Sequence, residues 1–238
     1  MDRFNMPSAP RLATAVADPA EHITAFLRAV YGWMAVGLTL TATVAWVVAG
    51  SDALVYTIAS NRLLLWGLLL AQLGTVIFLS ARVHKLSAAA AAGTFLAYSA
   101  LTGLTMAFVL RVYTGESVAT TFFVTAGTFG ALAAYGTVTQ RSLAGLGQFL
   151  FMGLVGIVLA SVVGIFWHHE GLQFVIAFVG VILFTLLTAY DAQRLKGMAL
   201  SMPSGDPGSY AILGALTLYL DFINLFLFLL RFLGGRRD

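Results

Sequence analysis

Residues 216–238 read LTLYLDFINLFLFLLRFLGGRRD. Leu, Phe and Ile dominate the stretch, and with the residues just before it the run reaches the ~20 residues a helix needs to cross a ~30 Å hydrocarbon core. Asp221 falls inside this run. A charge at the centre of a membrane helix costs about 2.5 to 3.5 kcal/mol on insertion scales, so the carboxylate has to be protonated, paired or in contact with water. Such positions mark ion or proton paths.

The rest of the chain has the same character. Of 238 residues 60% are hydrophobic and 10% charged, against roughly 25% charged in soluble domains. Apolar segments lie at 30–49, 63–81, 86–110, 118–138, 143–167, 172–190 and 210–232. None shows the alternation of barrel strands, and in lipid only helices or closed barrels satisfy their own backbone. The fold class is an all-α integral membrane protein with seven transmembrane helices. Residues 1–25 are polar, contain no apolar signal region, and are expected to be a mobile tail; residues 26–238 form one transmembrane domain.

With no cysteine in the chain, disulfides and thiolate metal sites are excluded. The net charge of +3 arises from residues flanking the spans and does not suggest nucleic-acid binding. Small residues recur at four-residue spacing, at Ala89, Gly93 and Ala97 and again at Gly156, Ala160 and Gly164. That spacing predicts smooth strips on which neighbouring helices approach closely. Alternating the segments places eight basic residues (Arg3, Arg11, Arg28, Arg82, Lys85, Arg141, Arg194, Lys196) on one side and five (Arg62, Arg111, Arg231, Arg236, Arg237) on the other. The positive-inside rule puts the N-terminus in the cytoplasm. The basic C-terminal tail pulls the other way, so the last segment is either a full span, favoured by its length, or re-entrant.

A second carboxylate, Asp191, ends or lies just inside the sixth span in LLTAYDAQRLKG, residues 186–197. A helix rises 1.5 Å per residue, which puts Asp221 ~16 Å from Tyr210, near the membrane midplane. A short connection makes the last two helices antiparallel neighbours, and the two carboxylates approach if Asp191 lies a turn or two deep; a helix-end residue in interfacial water is the other reading. If they meet in a low dielectric they cannot easily both ionise, and they titrate as a pair that senses pH. A hard cation such as calcium suits oxygen ligands, so it is a reasonable permeant or weakly bound ion, with Asp191 and Asp221 as its weak site. Arg82, following the run LLLAQLGTVIFLSA, is a counter-charge candidate as well as a positive-inside anchor. Asn224, three positions past Asp221, shares its helix face.

His168, His169 and Glu170 stand together in FWHHEGL but are too close in sequence to complete a metal site. No phosphate loop or nucleophile elbow occurs. Tyr190 and Asp191 match the Tyr-Asp pair of intramembrane aspartyl proteases, yet the Gly-x-Gly-Asp partner motif is missing from Asp221, which follows Leu-Tyr-Leu. No enzymatic activity and no cofactor are expected.

AYDAQRL at 189–195 followed by ALTLYLDFINLFLFLLRFLG at 215–234 resembles the transmembrane Bax inhibitor motif family, also called Bax inhibitor-1-like, with the seven-span plan matching over essentially the whole chain. The resemblance implies a central last helix wrapped by six others and a pH-sensitive calcium leak channel. In it the aspartates of the Tyr-Asp and Leu-Asp-Phe-Ile-Asn motifs, here Asp191 and Asp221, form a hydrogen-bonded pair, with Tyr190 and Asn224 as neighbouring polar groups. An arginine near the end of the second span, here Arg82, acts as a latch. Bacterial members reside in the inner membrane, and the eleven Arg against two Lys point to a GC-rich bacterial genome. The same resemblance carries the alternative of a non-conducting regulator that binds a membrane protease complex or a quality-control or cell-death partner.

Overall fold

The computed structural model describes residues 19–167, 169–201, 208–235 and 237. Eight α-helices follow one another: α1 (Pro19–Ala49), α2 (Asp52–Ser60), α3 (Arg62–Arg82), α4 (Ala88–Val112), α5 (Gly115–Val138), α6 (Gly147–Phe166), α7 (Glu170–Ser201) and α8 (Gly208–Leu233). All but the short α2 are long and apolar enough to cross a membrane. Pro19 is the first residue of α1 and the other four prolines, at positions 7, 10, 203 and 207, lie outside the described residues, so no described helix has a proline in its interior. Side chains at the starts supply acceptors for the orphan amides: Asn61 takes Leu63 N and Leu64 N at 3.1 Å, Ser87 takes Ala90 N at 3.2 Å and Thr114 takes Ser117 N at 3.3 Å.

α1 begins earlier than the sequence suggested. Pro19 opens it with its fixed φ, Glu21 complements the positive end of the helix dipole, and Phe26, Leu27 and Val30 then bury one face. Residues 19–25, expected to be tail, are therefore helical; residues 1–18 lie outside the described residues. α2, a nine-residue helix between the first two spans, was also not foreseen.

α8 is the most buried of the long helices. α1, α4, α5 and α7 pack against it, whereas α3 leans chiefly on α4 and α6 on α7. Its core positions, among them Ile212, Leu216, Leu218, Tyr219, Leu225 and Leu230, are almost fully excluded from the surface. α8 runs unbroken through 26 residues, about 39 Å at 1.5 Å per residue, long enough to cross a membrane in one pass. Its continuation is held at the end where α4 passes into α5: Thr114 N donates to Gly235 O at 3.1 Å and Arg237 N donates to Val112 O at 2.9 Å.

The expected strips carry the closest helix approaches only in part: in α6, Gly164 is buried and a Cβ there would lie only 3.1 Å from the Gln173 side chain of α7, whereas Gly156 faces open space. Ala89, Gly93 and Ala97 lie on the exposed face of α4, and a side chain at Gly93 would meet open space. The tightest contacts fall elsewhere. A Cβ at Gly136 would collide with the backbone carbonyl of Ala189, and one at Gly103 would lie 2.8 Å from the carbonyl of Thr41. These sites press α5 onto α7 and α4 onto α1. Four-residue spacing names a face without saying whether it turns toward protein or lipid.

Candidate functional site

Most polar side chains in the spans are satisfied locally. Thr188 donates to Phe184 O at 2.7 Å, Thr217 to Leu213 O at 3.1 Å, and the Asn224 amide to Leu220 O at 2.8 Å, each within its own helix. Tyr219, Thr41 and Ser99 form a relay between helices. The Thr41 hydroxyl donates to Ser99 O at 2.8 Å, which leaves the Tyr219 hydroxyl to donate to Thr41 Oγ1 at 2.6 Å. The relay ties α8 to α1 and α4 two residues before Asp221.

Asp191 and Asp221 come together where α7 and α8 cross, and their side chains interact. Both are buried, at 7% and 4% exposure. The Asp191 neighbours explain its depth: α7 runs on to Ser201, ten residues beyond, so the helix-end alternative does not hold. Asp221 Oδ2 is enclosed and without a hydrogen-bond partner. Leaving a buried polar atom unpaired costs about 1 to 3 kcal/mol, in contrast to the satisfied hydroxyls around it.

The basic group nearest the pair is Arg194, whose Nη1 lies 3.9 Å from Asp191 Oδ1. Arg82, at the end of α3, is exposed and takes part in no ion pair among the described residues. It stands two residues beyond Ser80, which does reach the cavity at Asp191. The sequence contained a signal for Arg194: it is three residues after Asp191, on the same helix face. Counting it only as a flanking charge hid this. The rest of the motif secures α7. Gln193 accepts from Leu143 N at 2.7 Å and donates to Arg141 O at 2.9 Å, while Lys196 donates to Thr137 O at 2.7 Å in the last turn of α5. Tyr190 turns away from the pair, its hydroxyl set against Gly147 at the start of α6. In the α6–α7 connection, His169 Nδ1 accepts from Gly171 N at 3.1 Å, and His168 lies outside the described residues.

Two cavities, each of about 320 Å³, approach Asp221 along one stripe of α8. The first is lined by Ser80, Asp191, Arg194, Leu195, Met198, Leu213, Gly214 and Thr217. The second, toward the opposite end of the helix, is lined by Asn224, Phe228 and Arg231 of α8 with Val109, Tyr113 and Ser161. Thr217, Asp221 and Asn224 are spaced i, i+4, i+7, a single helix face. Asp221 therefore stands between the end of one cavity and the start of the other. For calcium, which takes roughly six to eight oxygens, two carboxylates are a sparse donor set, and no group of three acidic or histidine side chains occurs among the described residues.

Fold and site together define a polytopic α-helical membrane protein with a carboxyl pair enclosed in its bundle. The chain belongs to the Bax inhibitor family: the family model described as "Inhibitor of apoptosis-promoting Bax1" matches residues 23–238. It is 50% identical to the inner membrane protein YbhL of Escherichia coli, with the whole of both chains covered. A Deinococcus radiodurans protein is 43% identical over 97% of this chain and 99% of its own. A Caulobacter vibrioides protein is 36% identical over the full length of both.

Proposed function

We propose that the protein is a pH-sensitive leak channel for calcium in a bacterial inner membrane, with its N-terminus in the cytoplasm and the Asp191–Asp221 pair as the closure. The observation that supports this best is the interrupted stripe of α8, with a cavity reaching Asp191 from one end and another ending at Asn224. A proton held by the pair gives the orphaned Asp221 oxygen a partner and ties α7 to α8. Loss of that proton puts a second negative charge between the helices, which weakens the tie and draws a cation into the gap. Two carboxylates with Thr217 and Asn224 nearby suit brief contact with a hard cation better than permanent binding, since Arg194 already lies beside Asp191. No bond chemistry and no resident cofactor are part of this reading.

The test is calcium entry into liposomes carrying the purified protein, from acidic to mildly alkaline pH, for the parent, Asp221→Asn and Asp191→Asn. The expected result is a leak that rises with pH in the parent and loses its pH dependence in both variants. Identical pH profiles in all three would remove the pair from the mechanism. No flux in any of them would favour the regulator that binds a membrane protease complex, whose partner mild detergent extraction would then recover.

A further inference from the structure

On the side of the bundle away from the Asp191 cavity, consecutive helices α4 and α5 do not pack on one another along their length. Between them is an open crevice in two adjoining parts. At the helix ends, a cavity of about 670 Å³ is lined by Trp46, Ser51, Arg111, Gly115, Val118 and Arg237. Deeper, an almost wholly apolar groove of about 380 Å³ runs between α1, α4 and α5, past Ala42, Met106 and Phe123, to a floor formed by Phe222 and Ile223 of α8. Leu110, Gly115 and Val118 line both parts, so the two adjoin.

The chemistry changes from cationic to apolar along this crevice. Arg111 pairs with Asp52 at 2.7 Å through Nη2, while its Nε donor is buried and unpartnered. Arg237 joins the fold through its backbone amide and leaves an exposed side chain at the mouth. The amino-terminal turn of α5 adds the positive end of its dipole, offset in part by the exposed Glu116 in the same turn. Trp46, 75% exposed, stands at the rim, as an interfacial aromatic does. We propose that this crevice binds one anionic phospholipid, its phosphate against Arg111 and Arg237 and an acyl chain in the groove. A free phosphate would use the mouth alone, and a neutral lipid the groove alone; both halves together fit an anionic lipid. The chain end would rest on Phe222, next to Asp221, which makes the lipid a brace for α8.

The full-length protein, purified in detergent and incubated with mixed micelles of phosphatidylglycerol or phosphatidylcholine, is examined by native mass spectrometry, with inorganic phosphate as a competitor. Retention of one phosphatidylglycerol in preference to phosphatidylcholine is expected, undisturbed by excess phosphate. Arg237→Gln, an exposed position whose loss leaves the fold intact, is expected to weaken retention about tenfold, the worth of one charge-assisted hydrogen bond. Ala119→Trp, which fills the groove and leaves both arginines in place, is expected to do the same. Equal retention of the two lipids, displacement by inorganic phosphate, or unchanged retention in both variants would overturn the proposal.

Discussion

Gly136 of α5 lies against the carbonyl of Ala189 on α7, two residues before Asp191, at a separation that leaves no room for a side chain. This contact sets the depth of α7 beside its neighbour and with it the level at which Asp191 meets α8. Adding a methyl group at Gly136 pushes two backbones apart rather than a flexible side chain. Gly136→Ala is expected to destabilise the protein by about 1 to 3 kcal/mol, as overpacking does. Gly93→Ala, on the exposed face of α4, should be neutral or slightly stabilising. Thermal unfolding of the two variants in the same detergent makes the comparison.

Arg194 and Arg82 separate two accounts of the counter-charge. Removing a positive neighbour makes the ionised form of the Asp191–Asp221 pair costlier, so more alkaline conditions are needed to reach it. Arg194→Gln is therefore expected to move the rise of calcium leak to higher pH. The displacement should be less than about one pH unit, because the Arg194 side chain is 71% exposed and solvent-screened. Arg82→Gln should leave the profile in place. The reverse pattern in liposome flux would return the role to Arg82.

Arg231 lines the far cavity, where its positive charge opposes an entering cation. Arg231→Gln is expected to raise calcium leak a few-fold at low ionic strength. The gain should fade as salt is added and the Debye length falls from about 30 Å at 0.01 M to about 10 Å at 0.1 M. A gain that persists unchanged at high salt would point to altered packing instead.

The Tyr219 hydroxyl reaches Thr41 at 2.6 Å in a fully buried setting. Tyr219→Phe removes the donor while Thr41 keeps its own bond to Ser99, so the loss is one net hydrogen bond, about 1 kcal/mol. Denaturation in detergent should show this loss. Because the relay sits two residues before Asp221, the variant is also expected to leak calcium at acidic pH, where the proposed mechanism closes the parent.

The sequence announced the spans clearly, since apolar length is a one-dimensional property and no proline falls within any of the apolar segments. Asp221 was legible for the same reason: its cost in an apolar run is visible without coordinates. What escaped was rotational. The strip at Ala89, Gly93 and Ala97 faces outward, and the Gly136 contact, which carries no repeat, was invisible. Arg194 was misjudged because its charge served equally as a flanking residue and as the partner of Asp191. The continuity of Thr217, Asp221 and Asn224 became meaningful only when cavities were found at both ends of the stripe.

The short backbone pairing of residues 112–114 with 235–237 holds one end of α8 to the turn between α4 and α5. A rod fixed at one end bends as a cantilever, with displacement growing away from the anchor. Asp221 lies 12 residues before Leu233, where α8 ends near that anchor, about 18 Å along the axis. A small tilt at the pinned terminus is therefore magnified at the carboxyl pair, and the arm between them would set the gearing of the proposed closure.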